Sequence, residues 1–501
     1  MSNVRAALVT TIVALAACHA NTAATPVGPS GRVSISSGSN PGLRAFVDSL
    51  TDAPEFSNAH WGILIVDPES HDTLYSRNAG KLFMPASNMK ILTSSTALTQ
   101  LGPNFRYRTG FAARGTVSNG TLNGDLLVIG RGDPSVSDHM LHDAMIPLRG
   151  IADSLAARGI HSITGRVVPA GNAFPGDVFG YGWTYDDFEA SYSAPIDELL
   201  FNEGFSVLHV RGGDTPGAPV QVTTSPARTF PRVRVLATTG GTAAEGQRRR
   251  RNDGLRVRKD STTWDIIVEG QIPPRDTTTI EVTHHDPDQA YVAAVAEVLT
   301  DKGITIGGSP SDTTARVDTL VTLSSPPLSE ILKALLKPSQ NQIAEMLFRT
   351  IALQKYGEGR TDSAAAVIKA QIGAWGAVPN ESVIRDGSGL SRYDYISPNT
   401  VVRILDGMRK APTFNVYYDA LPIAGVDGTI RNRMKGTPAE NNVHAKTGSV
   451  ALSRSLSGYV TSADKRMLIF SFLSNNWTTP VASVEHVQDA IATRLASMRV
   501  H

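Results

Sequence analysis

The order of hydrophobic and polar positions changes in character along the chain. Residues 61–67 form a nearly continuous apolar run, which is typical of a buried strand, and residues 72–76 predict a hairpin partner for it. Residues 87–101 then place apolar side chains at helical spacing, and Gly102 follows the last turn as a stop signal. We therefore expect Ser87 to lie at the N-terminus of a helix, where backbone N–H groups favour developing negative charge.

Between residues 106 and 288 the pattern consists of short alternating segments separated by Gly, Asp and Pro. Such a pattern predicts strands, so we expect a mainly β insertion of one or two nested subdomains. Helical spacing returns from residue 289, and strand-like runs between residues 442 and 473 precede a final amphipathic helix. The expected organisation is one domain built from residues 42–105 and 289–501, interrupted by the insertion 106–288.

Composition changes this picture little. The 501 residues are too many for one ordinary domain, and 41% hydrophobic and 19% charged residues are ordinary for a soluble globular protein. A formal net charge of +1 carries no global signature of nucleic-acid binding. One run of four arginines, residues 248–251, is expected to be a solvated loop, with contact to an anionic envelope polymer as the alternative.

The N-terminal residues resemble a bacterial export signal that ends in a lipid-attachment site. Arg5 precedes an apolar stretch that is too short to span a membrane, and Cys18, the only cysteine of the chain, follows it. We expect residues 1–17 to be a signal peptide, Cys18 to carry the lipid and residues 18–41 to be a flexible tether. The alternative is an ordinary signal peptide with an incidental cysteine. The expected location is the bacterial periplasm or cell envelope, and a single cysteine allows no disulfide framework.

Ser87 and Lys90 are the first candidate catalytic pair. Residues three apart share one face of a helix, so the lysine amine can lie within hydrogen-bonding reach of the serine hydroxyl. An amine in that position can remove the hydroxyl proton, which is the activation that a weak nucleophile needs. The spacing is common by chance, so an ordinary helix start stays the alternative unless partners occur elsewhere in the chain.

Two further motifs supply such partners. Ser339 and Asn341 lie on a connector between two predicted helices, where Ser339 can relay a proton and Asn341 can bind a substrate amide. Lys446, Thr447 and Gly448 lie on a predicted strand and offer a positive charge, a hydroxyl for a carboxylate and close approach of a substrate backbone. A regular pleat sends Lys446 and Thr447 to opposite faces, so both reach one site only on a twisted edge strand or through a backbone contact.

The ordered set Ser-x-x-Lys, Ser-x-Asn and Lys-Thr-Gly resembles the signature of penicillin-binding proteins and serine β-lactamases, with Gln340 where that signature has Asp. Ser339 follows Ser87 by 252 residues. A chain with such a large insertion resembles the class C low-molecular-mass penicillin-binding proteins, the D-Ala-D-Ala carboxypeptidase/endopeptidase family. Residues 386–392 and 421–429 also resemble sequence blocks of that family. The resemblance implies a penicillin-recognising transpeptidase/β-lactamase-like α/β (α+β) fold, an antiparallel sheet flanked by helices.

The resemblance also implies an activity and a catalytic set. It implies a serine D-Ala-D-Ala carboxypeptidase/endopeptidase of peptidoglycan stem peptides, which works through an acyl-enzyme and is acylated by β-lactams. Ser87 is then the nucleophile, Lys90 the general base and Ser339 the proton relay. Asn341 and Lys446 complete the catalytic set. The alternatives are a serine β-lactamase and a non-catalytic envelope-binding protein of the same fold.

Contacts with substrate and partners follow from the same resemblance. The backbone N–H groups of Ser87 and Ser449 are expected to form the oxyanion hole. The expected substrate-binding residues are Thr447, Gly448, Tyr185, Asp187 and Tyr192, with Tyr185 where many relatives have Trp. The expected partners are peptidoglycan peptides, β-lactam antibiotics and a membrane reached through the lipid anchor, with no nucleic acid. No cofactor and no metal are expected, because residues 284–286 are better interpreted as a solvated strand end.

Overall fold

The computed structural model describes residues 40–226, 232–240, 254–260, 262–263, 265–309 and 312–500. The expected signal peptide, Cys18, residues 18–39 of the expected tether and the arginine run 248–251 lie outside the described residues. Within the described ranges, no helix is both long and apolar enough to cross a membrane.

Before the insertion the chain forms a helix, a β-hairpin and the helix that Ser87 precedes. The elements are α1 (Pro41–Thr51), β1 (His60–Asp67), β2 (Asp72–Arg77) and α2 (Met89–Leu101). A 3-10 turn, Ala86–Asn88, holds Ser87 and leads into α2. The hairpin and the serine helix predicted from the pattern are confirmed.

The next elements are mostly strands, as the alternating pattern predicts. In chain order they are β3 (Arg108–Ser118), β4 (Thr121–Ile129), α3 (Asp138–Leu141), α4 (Met145–Ala157), β5 (Ser162–Ile163), β6 (Val167–Ala170), β7 (Phe205–Arg211), β8 (Gln221–Ser225), β9 (Val233–Val235), β10 (Thr238–Thr239), β11 (Leu255–Lys259), β12 (Ile266–Ile272), β13 (Thr277–Thr283), α5 (Pro287–Asp301), β14 (Thr305–Ile306) and β15 (Val317–Ser324).

The remaining elements return to helices and then to strands. They are α6 (Leu328–Leu336), α7 (Asn341–Tyr356), α8 (Thr361–Ala374), β16 (Ser382–Val383), β17 (Tyr395–Ile396), α9 (Pro398–Arg409), α10 (Phe414–Ala420), β18 (His444–Val450), β19 (Ser453–Thr461), β20 (Met467–Asn475) and α11 (Val481–Ser497).

The first and last parts of the chain share one antiparallel sheet with the strand order β18-β19-β20-β1-β2. Alternate side chains of β1 enter different cores, because successive residues of a strand point to opposite faces. Ile63 and Ile65 pack with α1 and α11, whereas Leu64 packs with α2 and helices α6 to α9. The sheet is therefore flanked by helices on both faces, and the predicted fold class is confirmed. Strand β18, which carries Lys446, lies at the edge of the sheet.

Helix α2 is more deeply buried than its amphipathic pattern predicts. Every residue from Met89 to Leu98 is buried, so the helix lies inside the core. Two of its serines, Ser94 and Ser95, donate their hydroxyls to carbonyls of the helix itself; Ser95 Oγ, for example, donates to the Ile91 carbonyl oxygen at 2.6 Å. This burial removes the side chain of Lys90 from water.

Most of the described strands of the inserted part pack around two separate cores. One sheet has the order β14-β5-β4-β3-β15 and packs against α4 and α5, whereas strands β13-β7-β8 and β10-β12-β11 surround the other core. Because α5, β14 and β15 belong to the first of these, that unit continues to Ser324, beyond the boundary at residue 288 expected from the sequence. Helical spacing after residue 288 predicts a helix but not the core on which the helix packs, so the expected boundary is too early.

Candidate active site

Ser87 lies in a tight turn that neighbouring backbone holds in place. Ala86, the residue before it, has a left-handed φ of 48°, which is strained for a residue with a Cβ. Ser455 on β19 donates its hydroxyl to the Pro85 carbonyl oxygen at 2.8 Å. Gly389 lies so close that a Cβ there would be 1.8 Å from the Ala86 carbonyl oxygen. Strand β19 and the Gly389 loop therefore fix the turn that presents the Ser87 hydroxyl.

Lys90 follows Ser87 by one helical turn and donates to three acceptors. Its Nζ lies 2.9 Å from Ser87 Oγ, 2.6 Å from Asn341 Oδ1 and 2.8 Å from the Ser388 carbonyl oxygen. The structure thus brings the predicted nucleophile, the predicted base and Asn341 into direct contact.

Burial lowers the pKa of Lys90 to about 7, because the ammonium form loses its hydration. The carboxylates of Asp386 and Glu345 act in the opposite direction and limit the fall. Near pH 7 a substantial fraction of Lys90 is therefore neutral amine, with a lone pair that can accept the Ser87 proton.

Lys446 reaches the same region from β18. Its Nζ donates to Ser339 Oγ at 2.7 Å and to the Thr447 carbonyl oxygen at 3.0 Å. Burial and the nearby charge of Lys90 lower the pKa of Lys446 well below its usual value. Two buried amines repel each other when both are protonated, so an anion entering the site would stabilise the charged form of Lys446.

The edge strand turns alternate backbone groups towards the open side of the sheet. The Ala445 N–H donates to the Pro422 carbonyl oxygen, away from β19. Because the groups of a strand alternate with a period of two, the N–H groups of Thr447 and Ser449 face the same open edge. This is the direction that an oxyanion-hole donor at Ser449 requires.

Thr447 places its hydroxyl beside Thr429, which lies outside the three sequence motifs. Its Oγ1 lies 2.7 Å from Thr429 Oγ1. Thr429 lies on a turn that Lys337 ties down through an ion pair with Asp427 at 2.7 Å. Lys446 and Thr447 thus both reach one site, the former through its amine and the latter through its hydroxyl, as an edge strand permits.

Gly448 has a packing role besides the expected contact with a substrate backbone. A Cβ at this position would lie 2.1 Å from Ser455 Oγ, 2.4 Å from the Pro85 carbonyl oxygen and 3.1 Å from the Ser87 nitrogen. Glycine is required so that β18 can pack against the turn that carries Ser87. The close approach in the structure is to the Ser455 hydroxyl and to the backbone of Pro85 and Ser87, and contact of Gly448 with a substrate backbone stays a prediction.

The cleft at these groups has a volume of about 430 Å³. From the inserted part, Asp187 and Tyr192 line it, and Tyr192 donates its hydroxyl to Asp187 Oδ1 at 2.5 Å. Tyr185 is 84% exposed and is not among the described residues that line the cleft, so the structure does not bring it to the site. The lining residues are Ser87, Asp187, Tyr192, Ser339, Asn341, Gly389, Leu390, Arg392, Thr429, Thr447, Ser449, Val450 and Ala451.

Two buried carboxylates near Lys90, those of Glu345 and Asp386, lie outside the three sequence motifs. Glu345 accepts from the Ser388 N–H at 2.8 Å, and Asp386 accepts from Trp183 Nε1 at 2.9 Å. Burial and the neighbouring Asp386 raise the pKa of Glu345 to about 7. Both residues shape the loop whose Ser388 carbonyl accepts from Lys90. The family-like block 386–392 contains Asp386, but a single acid in an apolar helical pattern gives no signal for Glu345.

Within the described part of the chain, one cluster of three acidic residues meets the distance requirement of a metal site. Asp197, Glu198 and Asp288 offer ligand oxygens within 4.8 Å of one another. Burial raises the pKa of Glu198 to about 7 and that of Asp288 to about 8, so protons neutralise part of this charge near pH 7. Of residues 284–286, His284 is buried rather than solvated at a strand end. Neither group is among the described residues that line the cleft.

A serine at a helix N-terminus, a partly neutral lysine bonded to it and a second lysine–serine pair define an acyl-transfer site. On a sheet flanked by helices, this arrangement belongs to the penicillin-recognising class of serine enzymes. The model of the D-Ala-D-Ala carboxypeptidase 3 (S13) family matches residues 43–498. The chain belongs to that family of serine peptidases, and the family predicted from the motifs is confirmed.

Two curated relatives are both named D-alanyl-D-alanine carboxypeptidase, and the similarity extends over most of this chain and most of each relative. The D-alanyl-D-alanine carboxypeptidase of Actinomadura sp. (strain R39) is 32% identical over 477 residues, which are 92% of this chain and 85% of the relative. The D-alanyl-D-alanine carboxypeptidase DacB of Haemophilus influenzae is 26% identical over 450 residues, which are 86% of this chain and 88% of the relative.

Solved structures agree in fold. The crystal structure of penicillin binding protein 4 from Haemophilus influenzae has a TM-score of 0.74 at 24% identity, covering 90% of this chain and 99% of that one. A complex of that protein with a β-lactam has a TM-score of 0.70 with the same coverage.

Proposed function

We propose that the protein hydrolyses the D-Ala-D-Ala bond of peptidoglycan stem peptides, with Ser87 as the nucleophile. The observation that carries the proposal is the 2.9 Å hydrogen bond from Lys90 Nζ to Ser87 Oγ, in a site where burial lowers the pKa of the lysine to about 7. The names of the curated relatives support the same substrate.

Acylation begins when Ser87 Oγ attacks the carbonyl carbon of the penultimate D-Ala and its proton passes to Lys90 Nζ. A C–O bond forms, the peptide C–N bond breaks, and the leaving D-Ala amine receives a proton through Ser339, whose hydroxyl accepts from Lys446. The proton on Lys90 replaces the one that Lys446 gives up, so Lys90 is neutral again after acylation. The N–H groups of Ser87 and Ser449 stabilise the oxyanion, and one such donor is typically worth about 3 kcal/mol of barrier. Water then hydrolyses the ester with Lys90 as the base.

The two ends of the cleft suit the two ends of the substrate. Lys446 and Thr447 bind the terminal carboxylate, whose negative charge favours the protonated form of Lys446. Asn341 binds the acyl side. Asp187 on the same side, with the hydroxyl of Tyr192 bonded to it, contacts the stem-peptide side chain. Cross-linked peptides, in which the same D-Ala carbonyl is joined to an amine of a neighbouring stem peptide, are substrates as well, which gives the endopeptidase activity.

β-Lactams react at the same hydroxyl. The β-lactam carbonyl takes the place of the scissile carbonyl, and attack by Ser87 opens the ring C–N bond. The amine stays attached to the acyl group, so it cannot diffuse away and leave space for water. The acyl-enzyme is therefore expected to persist, in contrast to a β-lactamase, which would release the opened product.

We further propose that the protein is exported to the bacterial envelope and held on a membrane surface by a lipid on Cys18. The support is the N-terminal sequence pattern, in which a short apolar stretch ends at the only cysteine. Metabolic labelling with a radioactive fatty acid tests this, and Cys18→Ser should abolish both the label and membrane retention. Retention of the label in that variant contradicts the anchor.

The experiment that tests the function is digestion of defined cross-linked and uncross-linked muropeptides, with mass analysis of the products. Loss of one D-Ala is expected from pentapeptides, and Ser87→Ala should release none. Turnover of the chromogenic cephalosporin nitrocefin would identify a β-lactamase instead. A protein that neither releases D-Ala nor becomes acylated would be a non-catalytic envelope-binding protein.

A further inference from the structure

The connector 339–341, which carries two of the proposed catalytic side chains, is held by the inserted part of the chain. Asn341 Nδ2 donates to the Tyr192 carbonyl oxygen at 2.8 Å. Beside it, Gln340 Nε2 donates to the carboxylate of Glu203. Gln340 lies between Ser339 and Asn341 in the chain. Its contact with Glu203 therefore affects the position of both proposed catalytic side chains.

The amide of Gln340 has a fixed orientation because its two ends face different partners. Its Oε1 accepts from the Gln342 N–H at 2.9 Å and so caps the N-terminus of α7. Its Nε2 is then left as a donor, and only an acceptor can satisfy it. The carboxylate of Glu203, which is an acceptor without donors, is the matching group.

Glu203 is itself held firmly. Its side chain is buried, and its backbone has a left-handed φ of 56°, a strained conformation that persists only where the surroundings determine it. Its Oε1 accepts from Ser137 Oγ at 3.0 Å and contacts His139 Nδ1 at 3.1 Å, which leaves Oε2 for Gln340. The carboxylate is therefore a fixed point rather than a mobile surface group.

Both proposed catalytic contacts of the connector depend on its shape. Ser339 has a left-handed φ of 69°, and its Oγ accepts from Lys446 Nζ at 2.7 Å. Asn341 Oδ1 accepts from Lys90 Nζ at 2.6 Å. A displacement of about 1 Å would lengthen both hydrogen bonds, and misplacement of that size costs a reaction about a hundredfold in rate.

We propose that Glu203 is a positioning residue, which accepts a hydrogen bond from Gln340 and thereby holds Ser339 and Asn341 in place for the reaction at Ser87. Glu203 is not among the described residues that line the cleft, so it acts through Gln340 and not on the substrate. The penicillin-recognising signature has an acid at the position of Gln340. In this chain an acid there would face Glu203 with a second negative charge. The inference rests on the proposed function of the site.

A reciprocal exchange of amide and carboxylate tests the contact in the full-length protein, with the rate constant of Ser87 acylation by a fluorescent penicillin as the readout. Gln340→Glu keeps the cap of α7 but sets two carboxylates against each other. Glu203→Gln replaces one of the two acceptor oxygens by an amide donor, so a single oxygen is left for Gln340 Nε2, Ser137 Oγ and His139 Nδ1. Each single variant is expected to be acylated about ten- to a hundredfold more slowly. The double variant Glu203→Gln/Gln340→Glu restores a donor and an acceptor in reversed order, and its rate is expected within about threefold of the wild type.

Controls separate positioning from general damage. Glu330→Gln removes the same charge from an exposed position of α6 and should be acylated at the wild-type rate. In D-Ala release, kcat should fall more than KM rises in the single variants, because both displaced residues serve the reaction and only Asn341 also binds the substrate. Thermal unfolding of each variant shows whether it is folded, and Glu203→Gln with the double variant keeps the test valid if Gln340→Glu does not fold.

The acylation rates of the single and double variants either support or overturn the positioning role of Glu203. Slow single variants and a restored double variant support the proposal. A folded single variant with the wild-type rate, or a double variant as slow as the slower single variant, overturns it. A wild-type protein that is not acylated at all would instead refute the proposed function, and this inference with it.

Discussion

Replacing Glu345 by glutamine is expected to move the pH dependence of Ser87 acylation to lower pH. Lys90 must be neutral to accept the Ser87 proton, so the rate of acylation rises with pH through the pKa of Lys90, which is about 7. The Glu345 carboxylate raises that pKa because it favours the ammonium form. Glu345→Gln removes the charge and keeps the size, so the pKa of Lys90 falls and the rising limb moves with it.

The size of the shift follows from the path between the two groups. Glu345 accepts from the Ser388 N–H at 2.8 Å, and Lys90 donates to the Ser388 carbonyl oxygen at 2.8 Å. The charges are then at most roughly 9 Å apart, which at an effective dielectric constant of about 20 corresponds to about 2 kcal/mol, or about one pKa unit. Burial raises the pKa of Glu345 to about 7 as well, so the wild-type limb belongs to the pair.

The assay is the rate constant of acylation by a fluorescent penicillin, measured from about pH 5 to about pH 9. Glu345→Asp is the matched control, because it keeps the charge and should leave the limb near its wild-type position. The plateau at high pH reports damage to the Ser388 loop, whereas the midpoint of the limb reports the electrostatic effect alone. A midpoint in Glu345→Gln that equals the wild-type value, or that moves to higher pH, would refute the reasoning.

Three other substitutions separate substrate binding, packing and stability. Thr429→Val should lower kcat/KM about tenfold for a peptide with a free terminal carboxylate and little for its C-terminal amide, since it removes the hydroxyl bonded to Thr447; equal losses for both peptides would contradict this. Gly448→Ala should slow acylation and cost about 1–3 kcal/mol in urea unfolding, because its Cβ would lie 2.1 Å from a side-chain oxygen of β19; a wild-type urea midpoint and rate would be inconsistent with that packing. Arg466→Ala should lower the free energy of unfolding by about 3 kcal/mol, because it removes the guanidinium 2.6 Å from buried Asp67, while each folded molecule is acylated at the wild-type rate; unchanged urea unfolding would show that the ion pair contributes little.

The parts of the site that sequence could predict are those that local geometry fixes. A spacing of three on a helix brings Lys90 to Ser87, and the hydrogen bond at 2.9 Å has that origin. The contacts of Lys90 with Asn341 and of Lys446 with Ser339 join distant parts of the chain. No periodicity predicts them, and only the resemblance of the ordered motifs to a known family places these residues in one catalytic set.

The parts that sequence did not reveal are set by tertiary packing. Glu345 is one acid in an apolar helical pattern, and its position behind the Ser388 loop depends on how α7 packs against α2. Gly448 packs against the Ser455 hydroxyl and also against the backbone of Pro85 and Ser87, which lie far away in the chain. The helix after residue 288 has the expected spacing, but its apolar face joins the core of the inserted sheet. A hydrophobic pattern predicts that such a helix face is buried. It does not predict which elements the face packs against, because the tertiary fold determines them.

The central claim is that Ser87 is the residue that becomes acylated, and mass analysis after reaction with a penicillin measures this most directly. Trypsin should release residues 82–90, in which Ser87 is the only hydroxyl-bearing residue. The expected result is a gain of one intact penicillin on this peptide in the wild type and on no peptide in Ser87→Ala. A covalent adduct on another peptide, or one that persists in Ser87→Ala, would contradict the account.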